Sequence, residues 1–168
     1  MLRLRPLRLD DETAFRAGHD QMATEGYVFG LWLDSCPTWA KYLRLLPDNQ
    51  AGLNLPEGHV PSTFLVAEVA GSIVGRVYIR HELNDRLLRE GGHIGYGVLP
   101  ACRRRGYATE MLRQSLIAAR SLGIDRVLLT CDDDNAGSIK VIESCGGMLA
   151  DILDGEAGSP KTRRYWID

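Results

Sequence analysis

The stretch Gly97-Val98-Leu99-Pro100-Ala101-Cys102-Arg103-Arg104-Arg105-Gly106-Tyr107-Ala108-Thr109 decides how the rest of the chain is understood. It joins an alternating apolar run, Ile94 to Leu99, to a basic turn and then to a helix that opens on small residues. A helix N-terminus leaves about four main-chain N–H groups without partners and carries about half a positive charge from the macrodipole, which makes it a ready anion site. Gly106 lets a phosphate approach the backbone and Ala108 keeps the next turn narrow. Arg103, Arg104 and Arg105 add charge-assisted contacts. No Gly-Lys-Ser/Thr follows, so this is not a Walker loop, and GxGxxG is absent. Taken alone, the turn is equally well a basic helix cap or an anion site; a different nucleotide-binding protein using the same cradle is a further alternative.

Working outward, Gly106 to Leu122 places Ala108, Met111, Leu112, Leu116 and Ala119 at helical spacing, with Gly123 as the stop. Val127-Leu128-Leu129-Thr130 lies in a strand over 126–131, and Asn135 to Ser144 is a helix stopped by Gly146-Gly147. Strands at 148–153 and 163–167 finish the chain. On the other side, Phe64–Val69 and Ile73–Arg80 form a hairpin turning at Gly71-Ser72, and His81 to Gly92 is polar and irregular. A long Pro- and Gly-rich loop covers 47–62. Before it, Trp39, Tyr42, Leu43 and Leu46 give a helix over 36–46 whose stripe serves as core or as the wall of a substrate pocket. Leu2, Leu4 and Leu7 mark a first strand; Asp10 and Asp11 cap a helix carrying Ala14, Phe15 and Met22 and ending at Gly26. The alternation predicts an α/β (α+β) fold, a mixed central sheet of about 6–7 strands flanked by about 4 helices, in a single domain over 1–168.

Composition narrows the class. Of 168 residues, 45% are hydrophobic and 25% charged, as in an ordinary folded domain, and the net charge of −2 gives no basic excess that would point to nucleic acid. Cys36, Cys102, Cys131 and Cys145 show no metal-ligand spacing, so free thiols in a reducing compartment and no metal are expected. No apolar run approaches a membrane span or a signal sequence, and a cytoplasmic protein without a membrane partner is expected.

Arg103-x-x-Gly106-x-Ala108 resembles the coenzyme A pyrophosphate motif of the GNAT acetyltransferase superfamily, and Asn135-x-x-Ser138 with the following Gly146 is similar to its second signature. The element order agrees over nearly the whole chain. A bacterial subgroup of predicted acetyltransferases is more similar still, through the pattern at Asn54–Thr63, Gly75-Arg76, Arg80–Asn84, Gly91–Tyr96 and Arg164–Ile167. The resemblance implies the GNAT acyl-CoA N-acyltransferase fold and an acetyl-CoA-dependent N-acetyltransferase in which a primary amine attacks directly in a ternary complex. It implies that Val98, Arg103, Arg104, Arg105, Gly106, Tyr107, Ala108, Thr109, Asn135 and Ser138 bind the cofactor. The acceptor is a small-molecule or peptide amine. The alternative is a non-catalytic acyl-CoA-binding sensor or interaction module, and a homodimer joined through segment 81–92 or the last strand is compatible with the pattern.

The chemistry sets further demands. An amine of pKa near 10 is about 99.9% protonated at pH 7, so exposing the free amine costs roughly 4–5 kcal/mol. A proton sink, an oxyanion donor and a tolerated thiolate leaving group are required. The resemblance assigns the donor to the Val98 N–H. It also implies a tyrosine proton donor seven residues after Asn135, where this chain has Ile142. Tyr165, Tyr96, Ser138 and Cys145 are the substitutes. His93, with His81 and Glu82 near it, is the candidate base; a structural imidazole is the other role open to it. Asp132-Asp133-Asp134 either attracts a cationic acceptor or is a solvated capping turn.

Overall fold

The structure, a computed structural model, describes residues 1–168. Its seven strands and five helices are β1 (Leu2–Arg5), α1 (Glu12–Ala23), α2 (Trp39–Gln50), β2 (Ser62–Val69), β3 (Ser72–Arg80), α3 (Asp85–Arg89), β4 (Ile94–Val98), α4 (Tyr107–Ser121), β5 (Val127–Asp132), α5 (Ala136–Ser144), β6 (Met148–Leu153) and β7 (Thr162–Ile167). The α/β class is as expected, but the strands divide into two sheets, β1-β2-β3-β4 and β5-β7-β6, and every ladder is antiparallel. The crossover through α4 brings β4 beside β5 without forming a ladder between them. At their beginnings they are joined by the His93 N–H donating to Leu128 O at 2.8 Å. Gly91 and Gly92, with φ of 110° and 58°, turn the chain so that only this point is reached.

The sheets carry a core on each face. Ile79, Ile94, Leu129 and Tyr165 pack with Met111, Leu112 and Leu116 of α4 and Ile142 of α5. On the opposite face Phe15 of α1 is the hub of an aromatic cluster, with ring centroids 5.3 Å from Phe29, 5.7 Å from Trp39 and 5.9 Å from Phe64. Each such side chain contributes about 1.5–3 kcal/mol through burial. Trp39 and Tyr42 are thus core; Ala14, expected on the buried face of α1, is exposed.

Several boundaries differ for local reasons. Thr38, whose side chain accepts from the Lys41 N–H, starts α2 later than Cys36. The helix then runs through Pro47 to Gln50, and Gly52, at φ 74°, ends it as the Leu53 N–H returns to Asp48 O. The β2–β3 turn is Ala70-Gly71, both at positive φ, one residue earlier than Gly71-Ser72, because the right-handed twist of a hairpin favours a turn with two left-handed residues. The segment read as irregular contains α3, capped by Asn84 and anchored by buried Leu87. The last strand, β7, lies between β5 and β6, so it offers no free edge to a partner; β6 is the outer strand and exposes Met148, Leu149 and Ile152. No helix is long and apolar enough to cross a membrane.

One buried ion network ties the N-terminus down. The Arg5 guanidinium donates to both Asp11 carboxylate oxygens and to Glu68, which also holds Arg3. Asp11 therefore does not cap α1; its carboxylate is engaged by Arg5 and the Arg8 N–H.

Candidate active site

The turn before α4 has the features of an anion cradle. Arg104 and Gly106 both have left-handed backbone, φ 63° and 77°, and no side chain caps the helix. None of the main-chain N–H groups from Arg104 to Thr109 has a protein acceptor; the first paired one is that of Glu110, to Gly106 O. A run of unpaired N–H groups with alternating handedness forms a concavity suited to phosphate. A Cβ at Gly106 would meet nothing within 4 Å, so the space beside it is open. Arg104 and Arg105 are exposed and unpaired. Arg103 departs from expectation: its guanidinium holds Val98 O at 3.1 Å and pairs with Glu25, fastening the turn to the segment just after α1 instead of reaching the cradle.

Between this cradle and His93 the edge of β4 is unpaired. Leu99 N–H and His93 O bond to β3, so by strand alternation Tyr96 and Val98 turn their main-chain groups away from it. β4 has no second ladder partner, which leaves the Val98 N–H facing the gap toward β5.

His93 closes the base of that gap. Its Nδ1 accepts the Leu128 N–H at 2.9 Å, so the neutral ring carries its proton on Nε2 and has no free lone pair. Burial first, and then the Arg80 charge, lower its pKa. This arrangement makes His93 a clasp between the sheets and argues against its use as a base. Because the folded pKa lies below the unfolded value of about 6.5, this group's stabilisation is complete above that pH and is lost as pH falls below it. Replacing His93 with Asn is expected to flatten the fall in stability between about pH 7 and pH 5, as measured by urea unfolding at several pH values; an unchanged slope would remove His93 as its source. His81, also lowered by burial, retains its own share.

On α5, Asn135 is the N-cap, its side chain accepting the Ser138 N–H at 3.0 Å. Ser138 is half-buried and faces Tyr96. Ile142 is buried. Tyr165 is fully buried and its hydroxyl donates to Glu143 while accepting from Arg163, so its proton is already engaged. Tyr96 differs: its hydroxyl is buried, makes no well-formed hydrogen bond, and has only the Ser138 side chain beside it. Burial raises its pKa, which keeps it protonated. The Cys145 thiol, also raised by burial, points to Thr109 O. In the acidic run Asp133 pairs with Arg163, while Asp132 and Asp134 are exposed.

The other face of β3 opens into a cleft of about 210 Å³ walled by Tyr27, Val28, Leu31, Arg76, Tyr78 and Arg80. Gly97 is buried under the Tyr27 ring; a Cβ there would collide with the Tyr27 hydroxyl. A larger hollow of about 460 Å³ lies beside α2, but no residue lining it comes from β3, β4 or the basic turn. No group of three or more His, Cys, Asp or Glu side chains is placed to hold a metal.

Residues 1–148 match the model of the acetyltransferase (GNAT) domain. The chain belongs to the GNAT acetyltransferase family. No curated protein matches it by sequence. Among solved structures, this GNAT chain is similar to Mycobacterium smegmatis RimJ in complex with CoA-disulfide (TM-score 0.71, 19% identity, 99% of this chain and 81% of that one). It is similar to spermidine N-acetyltransferase from Vibrio cholerae in complex with CoA and spermine (0.66, 17%, 99% and 94%). A GNAT acetyltransferase from Streptococcus pneumoniae gives 0.67, 16%, and 99% of both chains. At these identities the likeness is one of fold.

Within this GNAT frame three residues escaped reasoning from residue pattern alone: Tyr27, Arg76 and Arg80 as cleft walls. A signal was present, since Arg76, Tyr78 and Arg80 recur every second residue in an otherwise apolar strand and so share one face. Tyr27 had none, because the loop from Gly26 to Leu31 is placed over Gly97 only by tertiary packing.

Proposed function

We propose that this protein transfers the acetyl group of acetyl-CoA to a primary amine that enters the cleft facing β3. The observation that carries the proposal is the set of unpaired N–H groups from Arg104 to Thr109, beside an open Gly106 and next to an unladdered strand edge. These residues fit a diphosphate, with Arg104 and Arg105 screening its charge. When bound, acetyl-CoA supplies an activated thioester. Val98 offers its N–H to the thioester carbonyl, and Ser138 and Asn135 border the cofactor on the α5 side. Tyr96, neutral and with only Ser138 beside its hydroxyl, replaces Tyr165 as the group that donates to the departing thiolate. The cleft has no carboxylate or imidazole, so the amine proton leaves through water, helped by the arginine charges, which lower the amine's pKa.

Thiol release from acetyl-CoA over a panel of amines tests the activity. Tyr96→Phe is expected to lower kcat about tenfold while leaving acetyl-CoA affinity unchanged, because a thiolate of pKa near 8.5 is helped by a donor but does not depend on one. Tight binding with silence across the panel would support a sensor in place of an enzyme; the buried Ile142 is the feature that favours that second interpretation.

A further inference from the structure

We infer that the acceptor carries an anionic group, a carboxylate or a phosphoryl group, which docks on Arg76 and Arg80 in the cleft. The inference rests on the acetyltransferase reading for the identity of the reacting amine, but the anion site stands on its own geometry.

Two guanidinium groups face one small cleft. Arg76 donates to the carbonyls of Val28 at 2.9 Å, Phe29 at 3.1 Å and Gly95 at 3.4 Å and lies over the Tyr27 ring, 4.7 Å from its centroid. Arg80 donates through Nη1 alone, to Gly91 O and Gly92 O, and lies 5.1 Å from the Tyr78 centroid. Its Nε and Nη2 have no acceptor in the protein. Neither arginine is among the ion pairs, although every other buried or half-buried arginine, Arg5, Arg16, Arg163 and Arg164, has a carboxylate. Carbonyls and rings satisfy N–H groups but do not cancel formal charge, and two like charges sharing a desolvated site repel. Burial lowers both pKa values, and each lacks a carboxylate neighbour that would raise it.

The chemistry follows from that imbalance. A bidentate anion meets the free Arg80 fork and relieves the repulsion at once. A polycation would meet the same field with the wrong sign. Arg76 pairs across the ladder with Gly97, the residue before Val98, with the Tyr27 ring lying over Gly97. At about 210 Å³ the cleft is smaller than sites for drug-sized ligands, roughly 300–1,000 Å³, and suits a small acid or a chain end.

The test titrates acetate and inorganic phosphate, at constant ionic strength, into protein saturated with coenzyme A so that the cradle on α4 is filled. At least one anion is expected to bind, and Arg80→Gln to weaken it about tenfold while coenzyme A affinity stays within about twofold. Which anion binds separates the carboxylate from the phosphoryl source. Absence of anion binding, or equal binding in R80Q, overturns the inference whatever coenzyme A does. If coenzyme A itself fails to bind, the acetyltransferase reading falls instead, and the wild-type against R80Q comparison on free protein still reports the cleft. Arg80→Lys, keeping charge but losing the fork, is expected to recover part of the affinity; no recovery counts against a charge-based site. In a kinetic arm, L-leucine is expected to exceed isoamylamine in kcat/KM, with the difference lost in R80Q; a preference for isoamylamine that R80Q leaves intact overturns the inference.

Discussion

Gly106→Asp is expected to weaken acetyl-CoA binding at least about a hundredfold, a loss of about 2.7 kcal/mol or more, measured by titration calorimetry. The residue sits at φ 77° with open space around its α-carbon, so a side chain clashes with nothing but carries left-handed backbone strain, which aspartate and asparagine share. What changes is charge. A carboxylate there would face the same unpaired N–H groups that the diphosphate needs and would repel it at close range. Gly106→Asn is the control, because asparagine tolerates left-handed backbone and has nearly the same shape without the charge. A loss of only a few-fold is expected for it. Equal losses in the two variants would mean that backbone or bulk, not charge, governs the site, and the cradle interpretation would fail. Raising the salt concentration is expected to narrow the wild-type advantage, because Arg104 and Arg105 are exposed and screened.

Arg5→Met is expected to destabilise the fold by about 3–5 kcal/mol, read by urea unfolding at pH 7. The methionine keeps most of the aliphatic stem, so the loss isolates the charge. Arg5 is the shared partner of Asp11 and Glu68 and is itself buried. Without it Asp11 is left in the interior with only the Arg8 N–H, and Glu68 retains only Arg3. The Arg5 hydrogen bond is the main reason that both carboxylates titrate below their ordinary range. Their folded pKa values lie below the unfolded ones, so their contribution is present above about pH 4 and disappears as pH falls through the folded values. The gap between wild type and variant is therefore expected to close as the solution is acidified. A constant gap down to pH 3 would assign the loss to packing.

How much of this was legible beforehand varies by element. The helix-period stripe after Gly106 and the dense β run at Val127–Thr130 were decisive, because each buries one face and the burial pattern is written in the residue order. Boundaries slipped where a local cap outweighed a propensity. Thr38 began α2 and Gly52 ended it, carrying the helix past Pro47. The site residues divide in the same way. The cradle from Arg104 to Thr109 is local, so its motif carried it. His93, Tyr165 and Arg103 depended on partners 35, 22 and 78 positions away, and each is engaged in bonding that residue type and spacing do not reveal.

Sequence by itself therefore determined the α/β class, the strand-turn-helix with its unpaired N–H groups, and membership of a family built around it. These are consequences of short-range backbone geometry and of which residues prefer burial. Tertiary structure alone decided that the two sheets are clasped at His93 and Leu128 and part beyond them, that Tyr96 has a buried hydroxyl to offer, and that Arg76 and Arg80 share one cleft with no counter-charge. Charge balance, hydrogen-bond satisfaction and unpaired strand edges are properties of groups brought together across the chain, and no local pattern encodes them.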